Sequence, residues 1–399
     1  MEPVTHFLTG ACLGRAGLNR KTAYATLAGL LAAEAADIDI LWGFAGPVEE
    51  LKHHRGITHT FLAAPVIAAA VVGAVWLIDR WRSRRNVSGH DFSRAELAEE
   101  KNGALAPEAG APSKVQPHRA LGGSPQQLIR QPIHWGWLYL TALIAALSHI
   151  LLDWTNNYGV RPFFPFNHHW YAGSFMFIVE PVLYLFFFLA FFMPWILGIA
   201  DREIGARRQP FRGRGWAVFA LAGIFVLGCI RWLEHRQAIE LVRNSDVTSE
   251  PVPRAAAEPY PINPFRWHVI LETARYYQTA EVNTFTASVD SNLHRDLIYK
   301  PTDTPAVEAA KRTFLGRVYL DWGTWAIVRD LGQEPIAGLD PPNLPPGRTW
   351  TTVEFSDLRF DYSFLSTRRS AGRAPLSGWV YIVDNRDDAG EVMDGRVQK

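Results

Sequence analysis

Cysteine is scarce in this chain, and no excess of charge of either sign marks it. Cys12 and Cys229 are the only two cysteines in 399 residues, and each lies in an apolar stretch far from the other. That argues against both a disulfide framework and a zinc site built on thiolates. A formal net charge of +1 gives no global electrostatic sign of nucleic-acid binding, so no nucleic-acid partner is expected. The opening MEPVTHFLTG lacks a basic stretch followed by an apolar core and does not read as a cleaved signal peptide. No internal repeat is visible.

What the chain does have is uneven hydropathy. Apolar residues bunch into long runs in the first 235 positions, whereas the last 150 or so are mixed in the manner of a water-facing domain. A chain of this length is expected to form two structural units. Four runs are long and apolar enough to cross a bilayer, which takes about 20 helical residues. They are Phe61 to Ile78, Ile133 to Leu152, Pro181 to Ala200 and Trp216 to Trp232. The first 36 residues hold two shorter segments joined by the basic turn LNRK. At 1.5 Å per residue each reaches only about 22 Å, so a helical hairpin packed against the spans is expected. Gly10 with Gly14, and Ala25 with Gly29, have the spacing of small residues that lets helices approach closely.

The fold class expected is therefore an α-helical integral membrane domain, a short N-terminal hairpin plus four long spans, followed by a small β-rich extramembrane domain. The boundaries read as 1–235 for the membrane domain, with 86–130 a flexible cytoplasmic loop, then 236–264 as a Pro-rich linker and 265–399 as the β-rich domain. Alternating stretches such as RWHVILE, AEVNTFTASV and GWVYIVD carry the strand signal. The basic loops DRWRSRRN and DREIGARRQPFRGRG read as cytoplasmic, which puts the C-terminal domain on the outer side.

That orientation also brings the ionisable residues of the membrane half to one level. His149 and Asp153 are one helical turn apart on one face, a spacing suited to two ligands of one metal site. His53, His54, Arg55 and His59 stand at the lip of the first long span; Asp37 and Asp39 end the hairpin, and His6 lies near its other end. For any one of them, an interfacial side chain with its tip in water is an equally good account. Together they are costly, because an Asp at the centre of a span is unfavourable by about 2.5–3.5 kcal/mol. A bound cation offsets that, since metal binding supplies about 10 kcal/mol in favourable sites. Imidazoles mixed with carboxylates suit Zn²⁺, with Mn²⁺ or Fe as alternatives, and their number leaves one or two ions open. Arg55 is placed either to hold a phosphate oxygen or to snorkel. Asn156, Asn157, His168, His169 and Glu180 rank below this set.

The motifs THFLTG (5–10), AADID (35–39), HRGITHT (54–60) and SHILLDWTNNYG (148–159) together resemble those of the YdjM-like membrane-bound metal-dependent hydrolases. The resemblance covers residues 1 to about 235, and the tail from NPFRWHVILE is similar to the extra domain of longer members. One departure is ADID where members often carry a proline before the first Asp. The resemblance implies a bacterial inner-membrane protein with a metal site of His6, Asp37, Asp39, His54, His59, His149 and Asp153. A fainter similarity of order and spacing, to zinc-dependent phospholipase C sites, tilts the expected substrate toward a phosphoester or lipid-linked molecule. In that reading Asp37, Asp39 and Arg55 are the catalytic candidates, and spacing does not separate a general base from a ligand. The expected partners are membrane lipids and a small-molecule or lipid-linked substrate. The rival is a non-catalytic membrane protein, either a metal transporter or a partner-binding scaffold.

Overall fold

Two glycine contacts set the N-terminal hairpin. Helices α1 (Pro3–Arg15) and α2 (Ala25–Glu34) lie so close that a Cβ on Gly10 would stand 2.3 Å from the Gly29 carbonyl oxygen, and one on Gly14 would stand 2.5 Å from the Thr26 Cα. Backbones approach this closely only where side chains are missing. The computed structural model describes residues 1–102, 132–204, 213–292, 295–362 and 375–398. After α2 the chain winds through a 3-10 stretch, Ala35–Phe44, into the short helix α3 (Pro47–His53) and a 3-10 turn, Ile57–His59.

Four long helices follow: α4 (Ala63–Asn102), α5 (Trp135–Thr155), α6 (Pro181–Glu203) and α7 (Arg214–Arg243). Each contains an apolar segment long enough to cross a membrane, Ala63–Arg84, Trp135–Thr155, Pro181–Asp201 and Arg214–Arg243. The expected four spans and hairpin are thus present. Helix α5 is the central one. Its alanines, Ala142 and Ala145, pack with Ala28, Ala32 and Ala33 of α2 and with Val71 and Val75 of α4. Small side chains at this contact bring α5 next to the α2 backbone, so a polar residue at the end of α5 meets the end of α2.

The C-terminal region is β-rich, as expected, and its strands are all antiparallel. One sheet has the order β1 (Arg254–Pro259), β2 (Arg266–Glu272), β3 (Tyr276–Asn283), β4 (Ser288–Asp290), with β5 (Leu297–Tyr299) also on β3. Helices α8 (Pro305–Lys311) and α9 (Phe314–Trp322) come next. The second sheet runs β6 (Ala326–Asp330), β7 (Trp350–Asp357), β8 (Gly378–Val383), β9 (Asp387–Met393), β10 (Arg396–Val397) in sequential order. Strand β2 is buried on both faces. Trp267, Val269 and Leu271 join one core with Leu183 of α6 and Leu227 of α7, while Ile270 joins another with Trp325, Ile327 and Leu358.

Two expected boundaries differ from the structure. Helix α4 runs through Asn102, so residues 86–102 of the expected loop are helical, and 103–131 lie outside the described residues. The expected linker 236–264 contains the last turns of α7 and all of β1, which pairs with β2 from Arg254↔Glu272 to Pro259↔Trp267. Its prolines are compatible with a strand because β1 lies at the edge of its sheet, where proline is tolerated. The β-rich region therefore shares a core with α6 and α7 instead of hanging from a tether.

A fully buried ion pair reinforces this junction. Arg231 Nη2 donates to Glu180 Oε2 at 2.6 Å, Arg231 Nη1 donates to the Tyr260 carbonyl at 3.1 Å, and the Ile262 amide donates to Glu180 Oε1 at 3.1 Å. Arg231→Ala leaves a buried carboxylate uncompensated, and thermal unfolding in detergent should record a loss of about 3–5 kcal/mol. The double change Glu180→Gln with Arg231→Met should recover most of it.

Candidate metal centre

Four side chains from three parts of the chain meet at the C-terminal end of α5. Asp37 comes from the 3-10 stretch after α2, His59 from the turn before α4, and His149 and Asp153 from adjacent turns of α5. One ligand-type atom of each lies within 4.8 Å of the others. His59 Nε2 is 3.2 Å from Asp37 Oδ1 and 3.3 Å from Asp153 Oδ2. His149 Nε2 is 3.5 Å from Asp37 Oδ1 and 3.2 Å from Asp153 Oδ2. A tetrahedron of nitrogen and oxygen ligands around zinc at about 2.0–2.1 Å has edges of about 3.3–3.4 Å. The four nitrogen–oxygen separations, 3.2–3.5 Å, lie close to those edges, and the remaining two pairs are within 4.8 Å.

The unmet polar atoms point the same way. His149 Nε2 and Asp153 Oδ2 are buried and make no hydrogen bond despite their closeness. Buried polar atoms without partners are rare in native proteins. A divalent cation between them satisfies both, so the residues present fit a metal ion.

A second layer holds these side chains in place. His149 Nδ1 donates to the Ala33 carbonyl at 2.5 Å, which fixes its tautomer and turns Nε2 inward. Asp39 sits behind His59, with Oδ2 3.2 Å from His59 Nδ1. It also accepts from the Arg55 amide at 2.8 Å and Thr58 Oγ1 at 3.1 Å, and lies 3.1 Å from His54 Nδ1. Burial alone would lower the basicity of His59, but the carboxylates of Asp153, Asp37 and Asp39 outweigh it and raise its pKa to about 10. An incoming cation therefore displaces a proton there. Burial pushes the Asp39 carboxyl up, yet the hydrogen bonds from His54 and His59 hold it well below the usual carboxylate range.

The structure sorts the expected residues into three positions. Asp37, His59, His149 and Asp153 form the inner set. Asp39 and His54 form the layer behind it. His6 lies beside the set: its ring stacks on His149 at 3.7 Å, and Nε2 is 3.3 Å from Asp153 Oδ1. Arg55 faces inward. Its Nη2 is 2.9 Å from Asp153 Oδ1, and its Nη1 donates to Asn156 Oδ1 at 3.1 Å and the Gly159 carbonyl at 2.9 Å. The Met1 amine also touches Asp153 Oδ1. His53 stacks on Trp42 outside the cluster, and Glu180 is engaged by Arg231. Asn156, a secondary candidate by sequence, holds Arg55 and the Tyr158 and Gly159 amides. Thr58 and the Ala33 carbonyl carried no signal of their own.

A family model described as YdjM inner membrane protein matches residues 1–238, the stretch that supplies all of these side chains. Among curated proteins and solved structures, none matches the chain.

Because Asp39 acts through His59, Asp39→Asn should weaken metal affinity about 10–100-fold while the full number of ions still binds at saturation. Competition with a zinc-responsive dye reads both quantities, and a lost stoichiometric site would place Asp39 among the ligands instead.

Proposed function

Because the chain belongs to the YdjM inner membrane protein family, we propose that it is a membrane-bound, metal-dependent hydrolase acting on a phosphoester or lipid-linked substrate at the outer leaflet. The observation that carries this reading is the four-residue set, whose spacing suits a small divalent cation and whose donors are two imidazoles and two carboxylates. That donor set suits Zn²⁺ first, then Mn²⁺ or Fe. A cation held there supplies Lewis acidity and lowers the pKa of water, the chemistry needed to cleave a phosphoester near neutral pH.

The chain's own residues have separable tasks. Arg55, gripped by Asn156 and Gly159, orients the Asp153 carboxylate and balances its charge. Asp39 and Ala33 aim the two imidazoles. Asp37 is the exposed member, at 16 % against 0–1 % for the other three side chains, so substrate approaches from its side. The basic residues Arg80, Arg82 and Arg84 close the span Ala63–Arg84 at the end opposite His59, which supports placing the cluster and the β-rich region on the periplasmic face. The transport reading is less well supported, because the inner set sits at one end of α5.

Purified protein should hydrolyse a chromogenic phosphodiester such as bis(p-nitrophenyl) phosphate, lose that activity to a chelator and regain it with zinc or manganese. Asp37→Asn, which removes one charged ligand, should lower activity by about 10–100-fold at limiting metal. Turnover that survives complete metal removal contradicts the proposal, and metal binding without turnover on any phosphoester favours metal handling.

A further inference from the structure

A cleft of about 830 Å³ opens beside the metal centre, with Asp39 at its inner end. Its volume falls in the range of small-molecule sites, about 300–1,000 Å³. Its walls have two characters. Ile38, Leu41 and Ile57 line it with apolar side chains that are otherwise exposed, at 60 %, 54 % and 62 %. Trp42 stands among them with its ring stacked on His53 at 4.1 Å. Lys52, Arg161 and His168 add basic residues to the lining.

Arg161 is placed for ligand binding more than for the surface. It is 6 % exposed, its guanidinium stacks over Trp170 at 4.4 Å, and its Nη2 donates to the Lys52 carbonyl at 2.9 Å. Its anionic partner, Asp321, is half-exposed and 3.4 Å away, and its buried Nε has no hydrogen-bond partner among the described residues. A nearly buried guanidinium with such loose compensation favours an incoming anion. Glu49 pairs with Lys52 and His53 at the cleft edge, at 3.3 and 3.2 Å. Asp39 is already engaged by His54, the Arg55 amide and Thr58, which leaves Arg161 as the least compensated charged group of the lining.

The segments that supply the lining also carry exposed apolar side chains, Ile40 and Phe44 after Ile38, Phe61 and Leu62 after Thr58, and Phe163 and Phe166 around Phe164. Phe61 and Phe163 meet edge to face at 5.4 Å, which joins the patch from the α4 side to the loop after α5. Phe61 and Leu62 directly precede the span Ala63–Arg84, so the patch lies where hydrocarbon meets headgroups. A water-soluble ligand gains nothing from such an entrance. A molecule with its tail in the bilayer does.

We propose that this cleft recognises a phosphorylated amphiphile drawn from the bilayer, its anionic head against Arg161 and Lys52 and its chain along Ile38, Leu41, Trp42 and Ile57. The proposal rests on the hydrolase reading for the cleft's use and names its substrate class; binding itself is independent of turnover. The test is calorimetric titration of the full-length protein in dodecyl maltoside, against empty micelles, with dodecyl phosphate, inorganic phosphate and dodecanol as probes. Each is run on metal-loaded and on chelator-treated protein. Dodecyl phosphate is expected to bind at least tenfold more tightly than either other probe. Lys52→Ala, Arg161→Gln and Trp42→Ala should each weaken it severalfold, and the double Lys52→Ala, Arg161→Gln by tenfold or more, with metal content unchanged. Should Arg161→Gln fail to fold, Lys52→Ala and Trp42→Ala, both at exposed positions, decide alone. Unchanged affinity in those variants overturns the proposal, as does equal affinity for dodecanol, or for inorganic phosphate, which would mark a free-phosphate site. Tight, Lys52-dependent dodecyl phosphate binding by a protein that never hydrolyses a phosphoester supports the cleft and rejects the hydrolase reading.

Discussion

The membrane half is organised around a buried carboxylate, that of Asp153. Its side chain is 1 % exposed, and it faces His6, His59, His149, Arg55 and the Met1 amine. Removing such a group from water costs several kcal/mol unless charge and hydrogen bonds are brought to it. The hairpin, the turn before α4 and α5 each deliver part of that compensation, which explains why short helices and 3-10 segments converge at this level. The same arrangement leaves donor atoms of His149 and Asp153 facing one another without hydrogen bonds, the condition a cation resolves.

The β-rich region is tied to this centre through the loop that follows Asp153. Arg359, 2 % exposed, is held by Asp357 at 2.9 Å through both Nε and Nη2, and its Nη1 donates to the Asn157 carbonyl at 2.8 Å. Trp322 Nε1 donates to the Tyr158 carbonyl at 3.1 Å. Tyr158 in turn lies under the Arg55 guanidinium at 4.7 Å and against His54 at 5.4 Å. One chain of contacts thus runs from β7 through α9 to the residue that orients Asp153. With the core shared by β2, α6 and α7, this makes the C-terminal region a support for the site.

Much of this was legible in the sequence. The four spans stood out as apolar runs, the hairpin as two segments too short to cross with glycines at close-packing spacing, and His149 with Asp153 as a one-turn pair on a single face. What could not be read was the division of labour among the expected ligands. Asp37 and Asp39 are two residues apart, and positions at that spacing do not share a helical face, so only the 3-10 path decides that one faces the cluster and the other the back of His59. Arg55 read as a phosphate-binding or snorkelling group because its sequence neighbours lie at the membrane lip; its positive φ of 53° and its bonds to Asn156 and Gly159 carry it inward. Arg161 gave no signal, since its importance comes from packing on Trp170 beside a cleft formed by distant segments.

The central claim is that Asp37, His59, His149 and Asp153 together hold a divalent cation. Elemental analysis of the detergent-purified protein, beside its His149→Ala variant, tests it most directly. The account predicts about one tightly held transition-metal ion per chain in the parent protein. It predicts loss of that ion in the variant, with the helical circular-dichroism spectrum retained. A folded parent protein that holds no ion after metal is offered, or a variant that keeps the full metal content, would contradict it.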